Sequence, residues 1–434
     1  MSSSVRRIAQ VCIAGALAAY YLVPGTTCTY RSLHNVLPAV DVMLHPLRAG
    51  LVAFAVFVLI MLAYVRRVRG SQAPEGLWIG AFALVVAITA PYLFGASSVV
   101  ELRCLMAVIP FGVGLAAARL YDGSPATFGC LALLGAVQSG IAVVGFARGD
   151  MVDVGGGLAR ASGSFADPGT LYPVLAVAAV AALWLACSAR RTQAFALWTF
   201  CSAVLLTGLL LTWSRVGVLS VAAGLAALGV STLPARKAVA QAALPLALLI
   251  CVVFLHAGAP DGMAMQPDLV GDTPTHWRVG VRTFRTHWMT GVGAGRIPRW
   301  APQKPGRQEE GGTGGLDPHS EPLLWMDEFG IGGLLLLLFA FVDAAHALRS
   351  SRTGIGAPTL AAWAVLGVVA LFRGVLLYSP NPAEPFLVGV LLGTTLLVGG
   401  ESSDTGDGIA PGPASTNGVP VKQPASEAGL VSTR

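Results

Sequence analysis

Arginine and histidine side chains recur in four polar segments that interrupt an otherwise apolar chain. Arg160 lies in the first segment, Arg215 in the second, Arg278 and Arg282 in the third, and His319 in the fourth. Arginine is suited to pyrophosphate because its planar guanidinium donates hydrogen bonds to phosphate oxygens in pairs. A histidine can take a proton near neutral pH, so it could deprotonate an attacking hydroxyl. Together these residue types predict the displacement of a pyrophosphate from a sugar.

The third segment is residues 276–295, and the stretch 275–289 has the periodicity of an amphipathic helix. Arg278, Arg282 and Arg285 recur at i, i+4 and i+7, so they share one helix face. Apolar residues with the same spacing line an adjacent face: Trp277, Val281, Phe284 and Trp288. Such a helix can also lie in the membrane interface and bind anionic lipid, so this interpretation remains open beside phosphate binding.

The other candidate residues also have structural interpretations. Arg215 could anchor a helix end in the membrane interface beside Trp213, because its long side chain can reach water. His319 could cap the helix that begins near it. Asp327 and Glu328 fall about two turns into that helix, and carboxyls within a membrane are usually functional or paired.

The sequence predicts neither a metal site nor a cofactor. His276, His287 and His319 lack a recognisable metal-ligand spacing. The seven cysteines are odd in number and lie mostly in apolar runs, which does not indicate a disulfide framework. The glycine-rich residues 291–295 do not follow a strand, so they do not indicate a nucleotide-binding loop. The arginines lie at helix ends and not in one basic stripe, so no nucleic-acid partner is expected.

Long apolar runs must position these polar segments. The chain is 55% hydrophobic and only 12% charged, whereas a soluble domain is about 25% charged. A membrane span needs about 20 mostly apolar residues. Runs of this kind lie at residues 8–24, 49–65, 76–95, 101–118, 125–147, 169–188, 194–212, 215–232, 238–257, 322–347, 357–378 and 384–399. The predicted fold is therefore all-α, a polytopic membrane bundle of about 12 transmembrane helices.

The distribution of basic residues predicts the orientation of the bundle. With a cytoplasmic N-terminus, the inside connections hold basic pairs at residues 66–67, 190–191 and 236–237, while the short outside connections hold few basic residues. Basic residues are retained on the cytoplasmic side of a membrane. We therefore expect a bacterial inner-membrane protein with both termini in the cytoplasm and the four polar segments on the periplasmic side. The first apolar run is expected to be a retained helix and not a cleaved signal peptide.

The predicted transmembrane domain covers residues 1–400. Its connection 258–321 is roughly sixty residues long, far above the usual few residues, and is expected to be a large periplasmic loop. Residues 401–434 are rich in Ser, Gly, Pro and Asp, and are expected to form a disordered cytoplasmic tail.

The four polar segments, in this order, resemble the O-antigen ligase and O-antigen polymerase superfamily over roughly residues 155–340. The Gly-Thr-Phe-x-Asn-Pro-Asn turn of that family is similar to residues 163–169, and its Ser-Arg pair is similar to Ser214-Arg215. Its Trp-Arg helix with a Gly-Val-Gly turn is similar to residues 277–293. Its histidine before a Glu-x-Gly-Ile-x-Gly helix is similar to His319 and residues 328–333.

This resemblance implies a metal-independent glycosyltransferase with an undecaprenyl pyrophosphate-linked glycan as donor. The acceptor would be a sugar hydroxyl, on lipid A-core for a ligase or on another glycan chain for a polymerase. The resemblance also implies that Arg215 and Arg278 bind the pyrophosphate, with Arg160 and Arg282 as further candidates, and that His319 activates the acceptor. The implied partners are these two glycans and the membrane lipids.

Two other classes of protein remain open. A transporter is compatible with Pro110 and Pro245, which could interrupt spans. Transporters, however, carry polar groups near the middle of the membrane, whereas the polar groups here gather mostly at the predicted outer side. A structural protein of cell-envelope assembly would share the topology without a catalytic histidine.

Overall fold

The computed structural model describes nine stretches of the chain and one isolated residue, Gly15. The stretches are residues 110–115, 117–118, 124–153, 159–165, 168–232, 273–292, 320–350, 354–373 and 383–401. The predicted spans between residues 8 and 95, the span 238–257, most of the long connection, His319 and the tail lie outside them.

The described part of the chain is almost entirely helical. The helices are α1 (Pro125–Arg148), α2 (Pro168–Ser188), α3 (Thr192–Leu211), α4 (Arg215–Thr232), α5 (Thr273–Thr286), α6 (Glu321–Ser350), α7 (Gly356–Phe372) and α8 (Ala383–Glu401). Helix α5 corresponds to the predicted amphipathic helix, and each of the others overlaps a predicted span. Between α1 and α2, strands β1 (Val152–Asp153) and β2 (Ala159–Arg160) form a small antiparallel hairpin that adds to the predicted helical fold.

Helix α2 lies at the centre of the described bundle. It packs against α1, α3, α4, α7 and α8. Every side chain from Leu171 to Ala182 is buried. A helix that is apolar on all faces is expected to be surrounded by other helices, and the many alanines in α2 let those neighbours approach closely.

Helices α1, α2 and α3 are the ones among the described residues that are long and apolar enough to cross a membrane. Shorter apolar helices include α4, α7 and α8. Large apolar side chains such as Val137 on α1, and Phe195 and Phe200 on α3, are exposed on the bundle. These exposed side chains are expected to meet lipid, and the chain is a membrane protein.

Glycines bring α8 against residues 110–118. A Cβ atom on Gly389 would collide with the carbonyl of Phe111, and one on Gly114 would collide with the carbonyl of Phe386. Close contacts through small residues are the usual way for membrane helices to associate, since burial away from lipid provides little driving force. Farther along, Gly393 faces Ala118, so the two segments run parallel, as the predicted orientation of spans 101–118 and 384–399 requires.

Helix α6 is broken at Gly330, which has φ 67° and ψ −155°. The sequence predicts one continuous span over 322–347, and this prediction is wrong at the break. The conformation is essentially restricted to glycine, because a Cβ atom is strongly disfavoured there. The first part of α6, which carries Asp327 and Glu328, can therefore take its own direction.

Candidate functional site

Several helix ends meet at one end of the bundle, which we call the arginine end. Helices α2, α4 and α8 begin there, and α3 and α7 end there. A Cβ atom on Gly217 in α4 would lie 3.1 Å from Cβ of Tyr172 in α2. Arg373, directly after α7, places Nη2 3.3 Å from Oγ1 of Thr170 in α2 and Nε 3.5 Å from Oε1 of Glu384 in α8. The N-termini of α2, α4 and α8 carry partial positive charge and favour an anion close to them, whereas the C-termini of α3 and α7 carry partial negative charge.

Arg215 is fixed as the first residue of α4 by a tight link. Residues 212–214 are all that separate α3 from α4. Within the link, Trp213 adopts φ 52°, which is a strained conformation for a bulky residue and is characteristic of functional sites. The hydroxyl of Ser214 then accepts the N–H of Gly217 at 3.1 Å and caps the helix. The link therefore fixes the backbone position of Arg215 at the start of α4.

Ser214→Ala is expected to destabilise the protein by about 1 kcal/mol, because the first turn of α4 loses its N-cap. Thermal unfolding of the detergent-purified protein would measure the loss. Ser231→Ala is a matched control in the last turn of α4, where the hydroxyl donates to the carbonyl of Leu228 at 2.9 Å and caps no N–H. An equal melting temperature for both variants would show that Ser214 does not act as a cap.

Arg160 lies beside the link that leads to Arg215. Its side chain is buried, with 7% exposed. The next residue, Ala161, donates its N–H to the carbonyl of Leu211 at 3.1 Å. Leu211 is the last residue of α3 and lies one short link before Arg215, so the structure brings these two segments into contact at the arginine end.

A buried glutamine holds the turn that follows Arg160. Gln138 in α1 is 0% exposed; its Nε2 donates to the hydroxyl of Ser164 at 2.7 Å, and its Oε1 accepts the N–H of Ser164 at 3.1 Å. Gly163 has φ 60°, and a Cβ atom there would lie 2.9 Å from Oε1 of Gln138. Burying an amide is costly unless it is hydrogen-bonded, and this pairing satisfies it. Gln138 was not among the predicted site residues. Its only indication in the sequence was an amide side chain within the apolar run 125–147.

Helix α5 reaches the arginine end through an aromatic contact. Trp277 stacks on Phe372, the last residue of α7, with ring centroids 6.0 Å apart and an interplanar angle of 26°. The adjacent Arg278 and, one turn further on, Arg282 are exposed. Helix α7 packs along α4, so its last turn lies near the level of Arg215. Arg278 is therefore carried on a helix that contacts the last turn of α7.

Backbone hydrogen bonds fasten the turn after α5 to the break in α6. The N–H of Val292 donates to the carbonyl of Asp327 at 2.8 Å, and the N–H of Ile331 donates to the carbonyl of Trp288 at 2.7 Å. We call this pairing the backbone joint. It unites the Gly-Val-Gly turn and the Glu-x-Gly-Ile-x-Gly helix, which the sequence analysis identified as separate segments.

Two glycines make the backbone joint possible. Gly291 and Gly330 both have φ 67°. A Cβ atom on Gly291 would collide with the backbone of Glu328, and one on Gly330 would lie 2.5 Å from the carbonyl oxygen of Met289. The close approach and the positive φ angles both require glycine at these positions.

The first part of α6 buries several carboxyls. Glu321, 1% exposed, accepts the indole N–H of Trp325 at 2.8 Å. Asp327 is 0% exposed and faces the backbone of Phe284 in α5, and Glu328 beside it is 1% exposed. His319, the predicted base, lies outside the described residues, so its role stays a prediction.

The structure adds one cationic residue to the predicted set. Arg373 contacts two of the helices that begin at the arginine end, and it was not among the predicted site residues. The signal was an arginine within the predicted apolar run 357–378 and a carboxylate at the first residue of the next run, 384–399. Across the described stretches, no group of three or more His, Cys, Asp or Glu residues is placed to hold a metal ion.

Comparison with known proteins supports the resemblance to the O-antigen ligase superfamily. Residues 200–338 match the family model described as O-antigen ligase, which confirms the resemblance inferred from the sequence. One similar solved structure is described as "Structural coordination of polymerization and crosslinking by a peptidoglycan synthase complex". It is 17% identical with a TM-score of 0.46, and the match covers 75% of this chain and 98% of that one. No curated protein matched the chain.

Proposed function

Taking the O-antigen ligase domain at residues 200–338 as the premise, we propose that this chain transfers a glycan from undecaprenyl pyrophosphate to a sugar hydroxyl of lipid A-core. The observation that carries the proposal is the arginine end. Ala161, next to Arg160, is hydrogen-bonded there to Leu211, which precedes the link to Arg215, and α5, with Arg278 and Arg282, contacts the last turn of α7.

The arginine end has the electrostatics that a pyrophosphate donor needs. Guanidinium groups bind phosphate oxygens in pairs, and the N-termini of α2, α4 and α8 add partial positive charge. Arg160 and Arg215 belong to the wall of the bundle, whereas Arg278 and Arg282 are exposed on α5. Arg160 and Arg215 would bind the pyrophosphate from the bundle, and Arg278 and Arg282 would bind it from α5.

The proposed reaction is a single displacement. The acceptor hydroxyl oxygen attacks the anomeric carbon, and the bond from that carbon to the pyrophosphate oxygen breaks. His319 takes the hydroxyl proton as general base. The arginines stabilise the negative charge that develops on the leaving pyrophosphate, so the proposed step is independent of metal.

The proposal includes the location of the protein. The arginine end would face the periplasm of a bacterial inner-membrane protein with both termini in the cytoplasm. Residues 258–321 would form the periplasmic loop of a transmembrane domain that covers residues 1–400, and residues 401–434 the cytoplasmic tail. The positive-inside rule supports this orientation.

Reconstitution of the purified full chain tests the function. Proteoliposomes containing an undecaprenyl pyrophosphate-linked glycan and lipid A-core are expected to yield glycan-bearing lipid A-core on gels, even with EDTA present. Longer lipid-linked chains in the absence of lipid A-core would instead indicate a polymerase of the same superfamily. If neither product forms and the proteoliposomes take up a small anion, the chain is a transporter and the proposal is wrong.

A further inference from the structure

An ion pair joins three helix ends at the arginine end. Nε of Arg373 lies 3.5 Å from Oε1 of Glu384, in the first turn of α8. Nη2 of Arg373 lies 3.3 Å from the hydroxyl oxygen of Thr170, in the first turn of α2. The Arg373 side chain is 17% exposed and that of Glu384 is 0% exposed. One guanidinium therefore connects the end of α7 to the beginnings of α2 and α8.

This pair is poorly explained as a source of stability alone. Replacing a buried ion pair by apolar residues of similar volume is often neutral or stabilising, because both charges lose their hydration on burial. The N-termini of α2 and α8 disfavour the cation of Arg373 and the C-terminus of α7 favours it, so the helix dipoles at this position largely offset one another. Arg373 is better explained by the helix ends that its guanidinium holds at fixed distances from one another.

The position of Arg373 suggests that role. The preceding residue, Phe372, is the platform on which Trp277 of α5 stacks. The contacts of Arg373 with Glu384 and Thr170 also fix the position of the last turn of α7. They therefore fix the position of the Phe372 ring on which Trp277 stacks. At its other end, α5 is attached through the backbone joint to α6. The aromatic contact thus attaches α5 at the residue directly before Arg278.

We propose that Arg373 is a positioning residue, which seats α5 on the end of α7 so that Arg278 meets the donor pyrophosphate. This inference rests on the proposed function. Glu384 neutralises Arg373, so the pair contributes geometry and little net charge to the site. Arg373 acts through Phe372 and Trp277, and Arg278 makes the contact with the donor.

Limited proteolysis tests the seating of α5 independently of enzyme activity. In nanodiscs containing the full chain, trypsin is expected to cut after Arg278 and Arg282 roughly 10-fold faster in Arg373→Met than in the wild type, since a released segment opens more often. Arg148→Met, at an exposed arginine that ends α1, is the control with an unchanged rate. Equal cleavage rates in Arg373→Met and the wild type would overturn the proposal.

A double-mutant cycle tests the role in catalysis. Arg373→Met is expected to lower kcat/KM for the donor by about 10- to 100-fold, the effect of a misplaced binding group. If Arg373 acts through Arg278, Arg373→Met adds nothing further in the Arg278→Ala background. Multiplicative losses would overturn the positioning role. Arg373→Lys keeps the ion pair and is expected to recover most of the activity. This recovery would show that the loss in Arg373→Met comes from the missing ion pair and not from misfolding.

These measurements separate the two proposals. Absence of transfer by the wild type would refute the proposed function, while the proteolysis result would still report on the seating of α5. Normal transfer by the wild type together with a fully active Arg373→Met would refute the positioning role and leave the proposed function standing.

Discussion

Arg215→Ala is expected to lower glycan transfer by roughly 100- to 1000-fold, the effect of removing one donor that stabilises developing negative charge. The fold should survive, because Ser214 still caps α4 and the guanidinium is partly exposed. Transfer is measured with labelled donor in proteoliposomes, and correct folding by the melting temperature in detergent.

Matched variants show whether the loss of glycan transfer is specific to an arginine at the arginine end. Arg190→Ala removes an exposed arginine from the link between α2 and α3, at the opposite end of the bundle, and should transfer at the wild-type rate. His319→Ala should lose transfer with donor binding unchanged, whereas Arg215→Ala should weaken donor binding as well as lower transfer. Wild-type glycan ladders from cells that carry either variant would refute the assigned roles.

Gly330→Ala is expected to release the turn after α5 and abolish transfer. Its φ and ψ angles lie in a region that costs about 1–3 kcal/mol for other residues, and the added Cβ atom would lie 2.5 Å from the carbonyl oxygen of Met289. Relieving the collision requires the loss of the hydrogen bond from Ile331 to Trp288. Thermal unfolding and tryptic cleavage of α5 measure the loss of stability and the release.

Gly332→Ala provides the control within the same helix. A Cβ atom on Gly332 meets no other atom within 4 Å, and alanine favours a helix by about 1 kcal/mol over glycine. This variant should be as active as the wild type and slightly more stable. Identical behaviour of the alanine variants at positions 330 and 332 would mean that the backbone joint has no role in the reaction.

The helices could be predicted from the sequence because few backbone structures can cross a membrane. A spanning segment must satisfy its backbone hydrogen bonds internally, so a long apolar run must be helical. Proline also marks the first residue of both α1 and α2, where its missing N–H costs nothing. The predicted runs 125–147 and 169–188 therefore match these helices within a residue.

The contacts that build the arginine end could not be predicted in the same way. Gln138 pairs with Ser164 across 26 residues, and Arg373 contacts Thr170 across 203 residues. Such partners depend on how the helices pack, and the apolar pattern of each helix does not specify that packing. The sequence did identify Arg160 and Arg215 as candidates, because an arginine between apolar runs is costly unless it reaches water or an anion.

The break in α6 was missed for a local reason. Residues 330, 332 and 333 are all glycine, and composition does not indicate which of them takes a positive φ angle. Of these three glycines, only Gly330 lies against the turn after α5, and it is the one that takes the positive φ angle. The length of an apolar run therefore predicts a span, but not a bend produced by a partner from elsewhere in the chain.

The backbone joint has a consequence for how this protein can diverge. Both of its hydrogen bonds use main-chain atoms of Trp288, Val292, Asp327 and Ile331. The attachment therefore does not depend on which side chains these positions carry. Descendants of this sequence can therefore vary the side chains around the turn, provided that glycine stays at positions 291 and 330.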